Sequence, residues 1–213
     1  MILKTKNNQG FTILELLIAT TVFSVILLVV TTGIIRIGNI YYKGITSSKT
    51  QESIRNISSE FSSSIQFANG IKVPGSLPRI FCLGNTRYTY FLNSEYTKGN
   101  EATTGIYSEI LSPGSACATC SGGCVTEAKQ LLGNNMRVLS LRVDPVAGTA
   151  NKVWNVYTKV AYGYDDLLSN YNATPAQNSS PAFLQGVTCR SGIAGSSFCS
   201  TAELDTLVKK RLE

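Results

Sequence analysis

Hydrophobic positions fall into two regimes along this chain. From Phe11 to Ile35 nearly every residue is apolar and Glu15 is the single charge, with Lys4 and Lys6 before the run and Arg36 after it. A helix over this stretch would measure about 37 Å, enough to cross a bilayer with some tilt. Helical spacing continues through Ile34, Ile37, Tyr41 and Ile45, then Ile54, Ile57, Phe61 and Ile65, and no Pro occurs between Phe11 and Val73. The pattern predicts one long helix reaching Ala68, apolar all round in its first half and along one stripe in its second.

After Asn69 and Gly70 the composition turns toward Gly, Ser, Thr, Asn and aromatics. Alternation of period two predicts strands at Arg87 to Asn93, Met136 to Asp144 and Lys152 to Tyr162. In the last of these Trp154, Val156, Thr158, Val160 and Tyr162 share a face, with Asn155 and Lys159 opposite. Pro145 to Asn151 should close an antiparallel hairpin whose inner face packs on Ile57, Phe61 and Ile65. Trp154 reads as core. The polar stretch Asp165 to Gln185 reads as an exposed loop, and Asp165 with Asp166 as a solvated turn, because the spaced oxygen ligands of a calcium site are not evident. Ser200-Thr201-Ala202-Glu203 has capping-box spacing ahead of Leu204, Leu207, Val208 and Leu212, which predicts a short amphipathic C-terminal helix. Lys209, Lys210 and Arg211 would complement its dipole.

The fold class expected is therefore α+β: a long N-terminal helix on an antiparallel sheet, with a short helix at the end. The segments are a leader at 1–10, a membrane-spanning helix at 11–35, an amphipathic stem at 36–68 and a β-rich head at 69–213. Lysines on the leader side keep that end cytoplasmic and place the head outside the inner membrane.

Glu15 is the residue that a plain anchor does not explain. A carboxylate in an apolar span costs on the order of 2.5 kcal/mol or more unless compensated. Cleavage between Gly10 and Phe11 would create an α-amine one helical turn away, able to pair with Glu15 of a neighbouring copy. A secretory signal would instead end in an A-x-A-like site after a shorter apolar region.

The run Gly10-Phe11-Thr12-Ile13-Leu14-Glu15-Leu16 closely resembles the signature of type IV pilins and secretion pseudopilins. The resemblance implies the pilin fold, cleavage after Gly10 by a prepilin peptidase, N-methylation of Phe11, and control of assembly by Glu15. It also implies other pilin subunits and an inner-membrane assembly platform as partners, and a final place in an extracellular filament. Major type IVa pilins usually carry a proline in the apolar half of the helix. Its absence here, with the mature length and the C-terminal ending, looks most like a minor pilin or J-type pseudopilin. A major pilin, a non-polymerising anchored adhesin and a DNA-uptake receptor are the rival readings.

Composition narrows the chemistry. The chain has 213 residues and no His, which removes Ser-His-Asp, Cys-His and His-ligated zinc mechanisms, so no enzyme is expected. The formal charge of +6 is scattered and forms no basic stripe with interleaved aromatics, so nucleic acid as a partner is unsupported. Six cysteines, Cys82, Cys117, Cys120, Cys124, Cys189 and Cys199, all lie beyond the apolar run and read as disulfides of an exported domain. Cys189 and Cys199 enclose a short loop, and a bridge between them resembles the C-terminal disulfide loop of many pilins. Among the other four the connectivity is open, with a four-thiolate zinc site as the competing idea. No metal or cofactor is expected.

Overall fold

A computed structural model describes residues 11–73, 79–96, 104–112, 117, 128–171 and 186–211. Helix α1 runs Ile13–Phe67, 55 residues without a break, which the absence of proline permits. Chain contacts divide the molecule into two compact units, Met1–Tyr41 and Tyr42–Glu213.

In the first unit the described helix is solvent-exposed throughout most of its apolar surface, from Ile13 at 86% to Ile40 at 73%. In the second, α1 buries one face made by Thr46, Thr50, Ile54, Ile57, Ser58, Phe61 and Ile65. These positions recur at helical intervals of three and four, so the stripe read from sequence is the one that packs.

Five short strands, β1 (Ile71–Lys72), β2 (Arg79–Leu83), β3 (Thr86–Tyr90), β4 (Ile106–Ile110) and β5 (Lys129–Gln130), form an antiparallel meander in that order. Strand β6 (Met136–Pro145) pairs with β7 (Val153–Tyr162), and β8 (Leu168–Ser169) pairs with β9 (Thr188–Cys189). Strand β10 (Ser200–Lys209) completes a three-stranded sheet in the order β10-β7-β6.

Both larger sheets pack on the α1 stripe. Phe61 meets Phe81 at 5.3 Å and Tyr88 at 5.0 Å, both edge-on, and the Tyr88 hydroxyl lies 2.7 Å from Ser64 Oγ. Met136, Val138, Leu141, Val143, Trp154, Val156, Val160 and Val208 join the same core. Trp154 is core, as read, and its indole N–H donates to the Asn151 carbonyl at 2.9 Å.

The hairpin between β6 and β7 is present, with one irregularity. Pairing runs Val138 to Val160 and then Ser140 to Lys159, so Leu139 is an extra residue. This bulge returns Leu141 and Val143 to the face held by Met136 and Val138, and sends Leu139 to a second core with Ala161, Leu167, Leu168, Val187 and Cys199. Part of the stretch expected as exposed loop is therefore buried, Leu167 at 6% and Leu168 at 0%; residues 172–185 lie outside those described. The strand expected at Arg87 to Asn93 ends at Tyr90, and Leu92 instead makes a parallel bridge to Val138.

The C-terminal helix is a correction. Residues Ser200 to Lys209 form β10, paired with β7 in unbroken antiparallel register from Ser200–Tyr162 to Lys209–Val153. Ala202, Leu204, Thr206 and Val208 alternate toward α1, and Thr206 Oγ1 lies 3.1 Å from Ser58 Oγ. Leu204, Leu207 and Val208 also fit a helix, but β7 offers ten residues of backbone partners and the helix would leave that edge unpaired. Leu207, the residue that favoured the helix, faces outward at 69% exposure. Glu203 is no helix cap; it lies 3.4 Å from Lys159 Nζ and accepts a hydrogen bond from Tyr157 at 3.2 Å. Beyond β10, the Arg211 amide donates to the Gln66 carbonyl at 2.9 Å, satisfying one of the orphan acceptors at the end of α1.

Candidate assembly site

The start of α1 and the residues just before it hold the two described residues to which sequence assigns processing and assembly. Phe11 lies just before the helix, 83% exposed, and Glu15 lies in its first turn. Gly10 is outside the described residues.

The Glu15 carboxylate accepts hydrogen bonds from the Thr12 amide and the Thr12 hydroxyl, each at 2.9 Å, and the Glu15 amide donates to Thr12 Oγ1 at 3.3 Å. This reciprocal arrangement is a capping box, Thr12 as N-cap and Glu15 three residues in. It satisfies backbone donors that would otherwise be orphaned, and it uses the carboxylate near the positive end of the helix dipole. Sequence reasoning missed Thr12 although the T-x-x-E spacing was in view.

The surface that follows is built for a medium other than water. An 18-residue window within α1 reaches mean hydropathy 2.7 with none of it buried. Its hydroxyls are turned inward on their own helix: Thr20 to Leu17, Thr21 to Ile18, Ser24 to Thr20, Thr31 to Leu27 and Thr32 to Val29, at 2.7 to 3.0 Å. Each of these side chains therefore has a backbone acceptor without help from a neighbour. At Gly33, Gly38 and Gly44 an added Cβ would meet nothing within 4 Å. So much apolar surface, 58% at Leu17 and 61% at Phe23, calls for lipid or packed helices around it.

The cysteines resolve in part. Cys82 bonds to Cys117, and Cys189 to Cys199, with Cα separations of 6.0 and 5.7 Å. The first bridge takes two thiols from the four-thiolate zinc alternative; Cys120 and Cys124 lie outside the described residues. The second ties β9 to the start of β10 rather than to a helix.

A charged centre in the head was not foreseen. The Arg137 side chain is 1% exposed, and its guanidinium donates to Glu95 at 2.9 Å, to the Gly163 carbonyl at 2.8 Å, to the Tyr171 hydroxyl at 2.6 Å, and to Asp165. Asp165 is therefore an ion-pair partner, beyond the solvated turn expected. Burial raises the pKa of Glu95, opposed by Arg137 and reinforced by Asp165. Gly163 takes φ +118, and a Cβ there would sit 2.9 Å from the Phe198 carbonyl. The centre joins β6 to the segments at 93–95 and 163–171.

No curated protein and no solved structure matches the chain. Residues 5–31 match the family described as the prokaryotic N-terminal methylation motif. The matched segment covers the basic residue Lys6, the Gly10-Phe11 peptide, the Thr12–Glu15 box and most of the exposed apolar helix. The chain thus carries at its amino terminus a prokaryotic N-terminal methylation motif, a class III signal consistent with a type IV pilin-like prepilin.

Proposed function

We propose that this protein is a structural subunit, of the minor kind, of a type IV pilus or related filament. The observation that carries the reading is the coincidence of the methylation motif with an apolar, unburied helix whose first turn holds Glu15. Residues 1–10 are the leader, 11–35 the membrane and later filament-core helix, 36–68 the stem and 69–213 the displayed head. A prepilin peptidase cuts after Gly10 and the new Phe11 amine is methylated. Before assembly the chain is held in the inner membrane with its head outside. On assembly, Glu15 aligns against the amine of an adjoining subunit, because a carboxylate in an apolar medium gains most from a cation it meets there. Apolar helices then exchange lipid for one another, and the head reaches the cell surface on the filament. The proline-free α1 favours the minor kind over a shaft subunit.

Mass spectrometry of the mature chain should find methylated Phe11 at its start, and Glu15→Ala should fail to enter filaments. A mature chain that keeps its first ten residues, or a Glu15→Ala subunit that polymerises normally, refutes the proposal. Helix-to-helix crosslinks between copies separate assembly from simple anchoring, and the abundance of the chain in purified filaments separates a minor from a major subunit.

A further inference from the structure

Only one asparagine of the chain is followed by glycine, Asn69 before Gly70. The pair stands between α1, which ends at Phe67, and β1, which begins at Ile71. Both residues are exposed, whereas Ala68 beside them is buried. The two ends of this joint are fastened: the Arg211 amide donates to the Gln66 carbonyl at 2.9 Å, and the Gly84 amide to the Gly70 carbonyl at 2.8 Å. Between those points, among the described residues, neither the Asn69 side chain nor the Gly70 amide takes part in a hydrogen bond. The fold does not demand glycine at position 70, since its φ lies outside the left-handed region and an added Cβ would meet nothing within 4 Å.

An asparagine side chain holds an amide carbon that the main-chain nitrogen of the next residue can attack. Regular structure prevents this, because the ladder engages that nitrogen and a helical ψ of about −42° holds it away from the side chain. Asn56, exposed on α1 and followed by Ile57, is restrained in this way, and Asn155 is held in β7 between Asp144 and Leu207. Asn93, followed by the small Ser94, is 7% exposed, with its amide bound to the Val138 carbonyl at 2.7 Å and its carbonyl to the Tyr171 hydroxyl at 3.2 Å. Asn69 has neither restraint, and the residue after it has no Cβ to crowd the attack.

We propose that Asn69 is a self-modifying site whose conversion to isoaspartate loosens the joint between α1 and β1. The Gly70 nitrogen bonds to the Asn69 side-chain carbonyl carbon and gives its proton to water, the bond from that carbon to the side-chain nitrogen breaks, and ammonia leaves. The cyclic imide then takes up one water. Opening at the main-chain carbonyl gives isoaspartate, and opening at the side-chain carbonyl gives aspartate. No oxidant, metal or second protein is required. Isoaspartate lengthens the main chain between two fastened points, which disturbs the Gly84 to Gly70 bond. It also sets a carboxylate beside the last carbonyls of α1, at the negative end of the helix dipole. The site marks the age of a chain and does not depend on its entering a filament.

The test incubates the full chain in detergent at mildly alkaline pH and digests it with trypsin. Cleavage after Arg55 and Lys72 gives one peptide that carries both Asn56 and Asn69, so the helical asparagine is the control for the joint. That peptide should exchange a side-chain amide for a carboxylate at residue 69 and not at 56, and electron-transfer fragmentation should find isoaspartate in excess of aspartate. Gly70→Ala should slow the conversion at least roughly tenfold, a rise in barrier of about 1.4 kcal/mol. The urea midpoint should fall as conversion proceeds. A folded chain that keeps Asn69 while the urea-unfolded chain loses it overturns the proposal, as do conversion to aspartate alone, equal conversion at Asn56, and a Gly70→Ala chain that converts as fast as the native one. A midpoint unchanged by full conversion overturns the loosened joint.

Discussion

Arg137→Met should cost the head about 3 kcal/mol, and the structure says where the loss arises. The guanidinium is enclosed, with its side chain 1% exposed, while Glu95 and Asp165 are 23% and 54% exposed. Removing the cation leaves two carboxylates that reach water, so their stranding costs less than a fully buried pair would. The Gly163 carbonyl has less recourse: it belongs to a buried residue, and an unsatisfied buried acceptor costs about 1 to 3 kcal/mol. The cation over Tyr171, 5.1 Å from its ring centroid, contributes about 0.5 to 1 kcal/mol more. Met fills most of the volume, which keeps the cavity contribution small. Urea unfolding of the full chain in detergent, followed through Trp154, measures the difference. Adding Glu95→Gln to Arg137→Met should recover part of it by removing one stranded charge. A loss under about 0.5 kcal/mol, or a double variant weaker than the single one, would refute the reasoning.

The same centre sets a pH dependence. Because the folded chain holds the Glu95 proton to higher pH than the ordinary 4.5, stability must fall as pH rises through the window just above 4.5; Glu95→Gln should flatten that slope in acid-side urea titrations. On the alkaline side, burial and the nearby Glu203 push Tyr157 up to about 12, so the stability held by its protonated phenol is present below 10.0 and lost as pH climbs toward about 12. Tyr157→Phe should remove a tyrosine step at about 12 from an ultraviolet titration. Cys189→Ser with Cys199→Ser opens a bridge spanning 10 residues and should cost roughly 2 to 3 kcal/mol, read as a lower urea midpoint. Val208→Lys should destabilise far more than Leu207→Lys, which stays within about 0.5 kcal/mol; equal losses would contradict the strand.

How far sequence reaches here depends on whether a signal is local. α1 was legible because nothing in fifty-odd residues interrupts it and its buried stripe repeats at helical intervals. Strands β6 and β7 were legible through alternation, but the bulge at Leu139 was not, since one extra residue is seen only against its partner strand. One motif explains both a miss and an error. The S/T-x-x-E spacing caps a helix at Thr12–Glu15, where an apolar run follows, and marks nothing of the kind at Ser200–Glu203, where β7 offers a ladder. A cap signal is local, whereas the competing pairing is 38 residues away in sequence at its closest, Ser200 with Tyr162, and wins through tertiary contact. Arg137 reads as an ordinary strand residue, because its partners come from two separate segments, one before and one after its own strand. The Cys82–Cys117 bridge required knowing that β2 and the segment at residue 117 are neighbours.

The inward-turned hydroxyls of Thr20, Thr21, Ser24, Thr31 and Thr32 have a thermodynamic consequence for the apolar half of α1. Every one is already engaged by a carbonyl of the same helix. When the surroundings change from acyl chains to other proteins, those five bonds need neither break nor find substitutes. The exchange is then decided by shape complementarity along the helix and by the fate of one carboxylate, which makes it reversible in a way that a segment glued by interhelical polar bonds would not be.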